Sequence, residues 1–241
     1  VRETWAIDGD ERRLSEVMGM GCETEAYDPM EKAMLAHCES LGIPRGQLFA
    51  GELVREYPFT PAAKMMGHVW KRENGILVAA KGSPEKILPL CGLSDEEKSV
   101  VQTRLTEMSR QGLRVIAVGR MELPAGGRIP KTLPDCKLRL CGLVGLADPP
   151  RESVREDIRR CTRAGVRVVM ITGDNGITAS SIARQVGIPN CEKILTGDEL
   201  DRMTDGELRG KVREVSVFSR VVPEHKMRIV QALRENGDVV A

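Results

Sequence analysis

The residues with the most chemical promise close the stretch Val166-Arg-Val-Val-Met-Ile-Thr-Gly-Asp-Asn175: a hydroxyl at Thr172, a bare backbone at Gly173 and a carboxylate at Asp174. Five of the six residues from Val166 to Ile171 are apolar and three are valines. Such a run reads as a strand buried on both faces of a parallel sheet. Beyond the turn, Ala179, Ile182, Ala183 and Val186 fall at helical spacing. A buried strand, a small polar turn and a helix make the place where open α/β sheets bind ligands, outside the carboxyl ends of strands. An ordinary strand-to-helix turn would leave the same pattern. Thr196-Gly-Asp198 repeats the tripeptide ahead of a helix-like Glu199 to Met203, and there Asp198 reads as a cap or turn residue without catalysis. Cysteines stand at 22, 38, 91, 136, 141, 161 and 191, an odd number with no CxxC pair. That argues for free thiols in a reducing compartment, and no metal site is expected.

The elements that must position these groups fall into two patterns. In the first, Asp28 caps and Pro29 opens a helix whose expected inward face is Met30, Ala33, Met34, His37 and Leu41. His37 is read as a core or partly buried histidine without a role. Strands are expected at Leu53 to Tyr57, Lys64 to Trp70 and Ile76 to Lys81, the last two joined across Glu73-Asn74-Gly75. Pro84 opens a short helix to Cys91. Ser94-Asp-Glu-Glu97 is a capping box before a longer one, with Val101, Leu105 and Met108 inward and Gly112 as its stop. Arg114 to Met121 and Leu138 to Leu146 read as strands around a loop. Val1 to Met20 shows no clear element. The second pattern starts at Asp148-Pro149-Pro150-Arg151, after which helices (Arg151 to Ala164, Glu224 to Asn236) alternate with strands (Val215 to Phe218, and a start at Asp238 to Ala241). Adjacent strands with flanking helices predict an antiparallel α+β domain over 1–147, and alternation predicts a parallel sheet over 148–241.

Composition sets the outer bounds. At 241 residues the chain holds one large domain or two ordinary ones. Its 41% hydrophobic and 29% charged residues are those of a soluble globular protein, and no run nears the roughly 18 apolar residues of a membrane helix. Lys and Arg number 36 against 35 Asp and Glu, a balance that advertises neither a nucleic-acid nor a membrane surface. Val1 opens no signal peptide, and the chain is expected to be a piece of something longer.

Four motifs occur in order: Lys81-Gly-Ser-Pro-Glu85, Asp148-Pro-Pro-Arg151, Thr172-Gly-Asp174 and Val222-Pro-Glu-His-Lys226. Together they resemble the cytoplasmic catalytic part of P-type ATPases, the cation pumps that form an aspartyl-phosphate. Cys141-Gly-Leu-Val-Gly-Leu-Ala-Asp-Pro-Pro150 fits the calcium-pump-like branch. The resemblance implies a nucleotide-binding domain over 1–147 joined to part of a phosphorylation domain over 148–241, the latter an α/β haloacid-dehalogenase-like Rossmann fold. It implies ATP or ADP as ligand, Mg²⁺ held by residues outside this chain, and a place on the cytoplasmic side of a membrane protein whose actuator and transmembrane domains are absent here. The family's Asp-Lys-Thr-Gly-Thr phosphorylation motif and its Thr-Gly-Asp-Gly-Val-Asn-Asp magnesium motif do not occur. The chain is therefore expected to bind ATP without hydrolysing it.

The same resemblance assigns roles. Phe59 matches the adenine-stacking phenylalanine, with plain core packing as the alternative; a base on an aromatic contributes roughly 1–3 kcal/mol. Lys81 and Gly82 match the lysine and glycine of the adenine pocket; an exposed strand-end lysine is the alternative. Glu31 matches a carboxylate near the adenine amino group, and Lys64 and Met66 match further pocket positions; for these three a purely structural role, beside Asp28-Pro29 and in the methionine cluster, is the alternative. Arg114 matches an arginine that reaches the phosphates. Pro61 stands where calcium pumps carry a phosphate-touching arginine. Thr172 and Gly173 would hold the transferring phosphoryl, Asp174 would order the site, and Lys226 would neutralise charge. Arg220 matches an arginine near the ribose or phosphates; for Lys226 and Arg220 a merely exposed cation is the alternative. Asp148 and Arg151 would serve the interdomain hinge and the closed nucleotide site. Two other functions compete: a soluble haloacid-dehalogenase-type phosphatase, opposed by the missing nucleophile motif, and a non-catalytic interaction domain whose nucleotide residues have drifted.

Overall fold

A computed structural model describes residues 1–241. The chain forms two compact units, Val1–Leu105 with Val115–Ala147, and Thr106–Arg114 with Asp148–Ala241.

The first unit runs β1 (Glu3–Ala6), α1 (Glu11–Met20), α2 (Pro29–Ser40), α3 (Arg45–Leu48), β2 (Glu52–Tyr57), β3 (Met65–Arg72), β4 (Gly75–Gly82), α4 (Pro84–Ile87), α5 (Asp95–Arg110), β5 (Arg114–Leu123) and β6 (Arg139–Leu146), except that the end of α5 from Thr106 and the first residue of β5, Arg114, count with the second unit. The strands make one sheet in the order β1-β6-β5-β4-β3-β2. Its β1–β6, β2–β3, β3–β4 and β4–β5 pairs are antiparallel. Arg72 pairs with Gly75 around Glu73-Asn74, closing the tight hairpin that the Asn-Gly signal marks. Leu14, Met18, Met20, Met34, Leu35 and Trp70 form the heart of the core. There the indole N–H of Trp70 donates to the Met20 carbonyl at 2.9 Å, and its ring stacks on Phe49 at 5.6 Å.

Two expectations for this unit need correction. The first twenty residues do hold elements: Asp10 caps α1 by accepting the Arg13 N–H at 2.9 Å, Glu11 accepts the Ala6 N–H at 2.9 Å, and Leu14, Val17 and Met18 share the buried face. Of the expected face of α2, Met34 is buried and Met30 and Ala33 pack partly buried against the core, but the fully buried row is Glu31, Met34, Leu35 and Cys38, and Leu41 is exposed. These four positions keep strict helical spacing. A glutamate at the head of the row hides it from a hydrophobicity reading.

The second unit runs α6 (Val154–Arg163), β7 (Met170–Ile171), α7 (Gly176–Val186), β8 (Ile194–Thr196), α8 (Gly197–Arg202), α9 (Asp205–Lys211), β9 (Val217–Ser219) and α10 (Pro223–Glu235). Its sheet, in the order β7-β9-β8, is parallel. The core is Leu195, Leu200, Leu208, Phe218 and Ile229, with a second cluster around Ala179, Ala183 and Val217. Val166 to Ile171 is not a doubly buried strand. Only Met170 and Ile171 pair, on one side, and Val166 is 55% exposed. An edge position explains both facts, because one face of the ladder has no neighbour. Residues 238–241 form no strand, since nothing pairs with them. The helix after β8 is capped by Thr196, which exchanges hydrogen bonds with Glu199, and Asp198 lies inside its first turn.

Candidate functional site

In the first unit the candidate residues gather at the ends of β3 and β4. Met66 pairs directly with Lys81, which places their side chains on one face of the sheet. Lys81 is only 5% exposed, and its ammonium donates to the Glu31 carboxylate at 2.6 Å and to the Cys22 sulfur at 3.0 Å. Glu31, 6% exposed, also accepts the Glu23 N–H at 3.3 Å. A charge this deep persists only when paired, and Glu31 supplies the partner. The reading of Lys81 as an exposed strand-end lysine is therefore wrong. Gly82 has no room for a side chain, since a Cβ there would stand 2.5 Å from that of Met65 and 2.6 Å from the Lys64 carbonyl. Lys64 turns the chain into β3 at φ +52°, and its carbonyl accepts the Ser83 N–H at 2.8 Å. Phe59, 57% exposed in the segment between β2 and β3, is not a core residue. The unit thus offers a free aromatic face, a small-residue backbone and a paired buried lysine.

In the second unit the carboxyl ends of three parallel strands come together. Ile171 pairs with Phe218 and Thr196 with Ser219, so Thr172, Gly197 and Arg220 follow at one edge of the sheet. The loops after β7 and β9 are laced together: Arg220 N–H donates to the Asp174 carbonyl at 3.2 Å, and Val221 N–H to that of Thr172 at 3.1 Å. The Thr172 hydroxyl donates to the Asp174 carboxylate at 3.3 Å and accepts its N–H at 3.1 Å. The Arg114 guanidinium lies 3.8 Å from the same carboxylate, and that of Arg220 donates to the Gly173 carbonyl at 3.3 Å. A Cβ on Gly173 would meet nothing within 4 Å, so its backbone stays open to an approaching group. Asn175 caps α7 by accepting the Ile177 N–H at 2.8 Å, which aims the positive end of that helix at the turn. Lys226 is exposed on the first turn of α10, and Asp148 and Arg151 are exposed in coil. These three are not brought against the Thr172 group.

Burial holds the Arg220 guanidinium below its usual pKa. Burial pushes the Cys22 thiol up, against the opposing pull of the Lys81 charge. Three residues at these places were missed by sequence reading. Cys22 touches Lys81, and only its position in the polar Gly21-Cys-Glu-Thr24 stretch could have drawn attention. Gly197, in the repeated Thr-Gly-Asp, would put a Cβ 2.2 Å from the Arg220 carbonyl, so it serves backbone approach. His225, in the Pro223-Glu-His motif, bonds the Asp201 carboxylate at 2.7 Å through Nε2 and accepts the Val222 N–H through Nδ1, fixing the start of α10.

Comparison with known proteins gives a consistent result. The family model described as P-type ATPase, cytoplasmic domain N, matches residues 20–153. The chain is 36% identical over 232 residues to Calcium-transporting ATPase 1 of Bacillus cereus, covering 91% of this chain and 26% of that protein. It is 34% identical over 227 residues to the Calcium-transporting ATPase of Bacillus subtilis, covering 89% and 26%. Over 206 residues it is 36% identical to Calcium-transporting ATPase 1 of Saccharomyces cerevisiae, covering 78% and 22%. The chain spans about a quarter of the length of the curated relatives it matches.

Proposed function

Since this chain belongs to the P-type ATPase family through its cytoplasmic domain N, we propose that it is the ATP-binding part of an ATP-driven cation pump that works through an aspartyl-phosphate. The names of its relatives favour calcium as the transported ion. On this reading 1–147 is the nucleotide-binding domain, 148–241 is part of a haloacid-dehalogenase-like phosphorylation domain, both lie on the cytoplasmic side of the parent protein, and the actuator and transmembrane domains belong to the same parent chain. No helix of this chain is long and apolar enough to cross a membrane.

The buried Glu31–Lys81 pair beside Met66 carries the proposal. A fold with no use for a ligand gains little from holding a lysine and a glutamate at 5% and 6% exposure, because desolvation offsets their attraction. Adenine would stack on the exposed Phe59 ring, with Lys64 and Met66 beside it and Gly82 letting the chain at Lys64 and Met65 pass close to β4. Arg114 and Arg220 are suited to phosphate oxygens, since a guanidinium makes two parallel contacts. Thr172 and Gly173 would bind the transferring phosphoryl, ordered by Asp174, while Lys226, Asp148 and Arg151 would join on closure around nucleotide. Mg²⁺ takes about six oxygens. The Thr172 turn offers a single carboxylate with Arg114 beside it, so the ion would come with the nucleotide and with ligands from outside this chain.

Calorimetric titration of the chain with ATP, paired with a phosphate-release assay, tests this. Binding without phosphate release is expected, and Phe59→Ala should weaken it by roughly 1–3 kcal/mol. Steady phosphate release would overturn the reading, and so would ATP affinity indifferent to Phe59.

A further inference from the structure

His68, on β3, sits directly opposite Glu56 of β2, so their side chains share a face of the sheet. The carboxylate of Glu23 comes to the same place from the segment after α1. One ligand atom from each of the three lies within 4.8 Å of the other two. His68 is only 1% exposed, yet its Nδ1 has no hydrogen-bond partner, and its Nε2 faces Glu23 Oε1 at 3.8 Å, beyond hydrogen-bond reach. A ring nitrogen buried without a partner is costly, and nearly every such atom in a native fold finds one; here Nδ1 has none and Nε2 has only the distant Glu23 carboxylate.

We propose that Glu23, Glu56 and His68 form a binding site for a divalent transition-metal ion, of the kind Zn²⁺ represents. One imidazole and two carboxylates are a donor set that zinc accepts, with water in the fourth position. Bonds of about 2.0–2.2 Å require the ligand atoms to draw together by roughly an ångström from their present spacing. The mobility for this is in the right place. Glu56 is exposed and the Glu23 side chain is 40% exposed, so both can swing, while His68 is fixed by packing and serves as the anchor. The site is separate from the Lys81 pair, although the Glu23 N–H on Glu31 makes the two neighbours. Sequence spacing hides it, because the ligands come from positions 23, 56 and 68 and only strand register unites two of them.

Zinc titration calorimetry on the metal-stripped chain, with Co²⁺ absorption as a second readout, decides the matter. One equivalent should bind, and the cobalt spectrum should lack a thiolate charge-transfer band. Glu56→Gln changes an exposed residue that the fold does not need, so an unaltered circular-dichroism spectrum with affinity down about tenfold or more is the expected result. His68→Gln should abolish binding. Absent binding in the unmodified chain, affinity unchanged in Glu56→Gln, or a thiolate band showing cysteine ligation would each overturn the site.

Discussion

A lysine at 5% exposure keeps its charge because Glu31 stands 2.6 Å away, and each of the two is a liability without the other. Lys81→Met should therefore cost about 3–5 kcal/mol by leaving a carboxylate buried and alone. Adding Glu31→Leu should return most of that loss, since an apolar pair of similar volume often replaces a buried ion pair without penalty. Urea unfolding of the single and double variants measures both, and a double variant no more stable than the single would refute the account. Strain is placed in the same way. The non-glycine residues with positive φ are Lys64 at +52°, Asn190 at +53° and Arg220 at +55°. Asparagine tolerates that conformation, whereas for the other two it costs about 1 kcal/mol or more. Both are candidate ligand contacts, which is where such strain tends to persist.

At the scale of elements, the edge where β7, β8 and β9 end depends on close backbone approach. Gly197→Ala should push the Arg220 carbonyl away and destabilise the second unit by about 1–3 kcal/mol, as overpacking does. Thr204→Ala, which removes only the cap of α9, should cost about 1 kcal/mol and leave that edge intact. Thermal unfolding would separate them, and equal, small losses would show that position 197 has room after all. Much at this scale was legible beforehand: the β3–β4 hairpin from Asn74-Gly75, α5 from its Ser94–Glu97 box, and α7 from its spacing. What was not legible has physical causes. The face of α2 was misread because a paired glutamate occupies a core position, and Val166 to Ile171 because apolar composition cannot tell an edge strand from a central one. Lys81, Glu31 and Met66 could be named from the sequence, but the Cys22 contact and the meeting of the three strand ends depend on register and packing.

At the scale of the whole molecule, the thiols set an alkaline limit. Burial raises Cys38, Cys91 and Cys141 to about 12 from an ordinary 9.0, and raises Cys22 and Cys136 as well. The folded state then holds protons that the unfolded state releases, so stability is full below pH 9 and falls as pH rises from about 9 towards 12. All five lie in the first unit. Its urea midpoint should therefore drop over that window, and a flat profile would contradict the burial of these groups. The sheet of the same unit carries a further consequence, one of timing. Glu3 to Ala6 pair only with Gly142 to Gly145, across some 140 residues of chain. At roughly 5–20 residues per second of synthesis, β1 waits about 7 to 28 s for its partner. Through that interval a growing chain exposes an unpaired strand edge, the kind of surface that chaperones bind and aggregates recruit. Nascent chains halted before β6 should show no amide protection at Glu3 to Ala6, and protection should arrive only once residue 146 has left the ribosome.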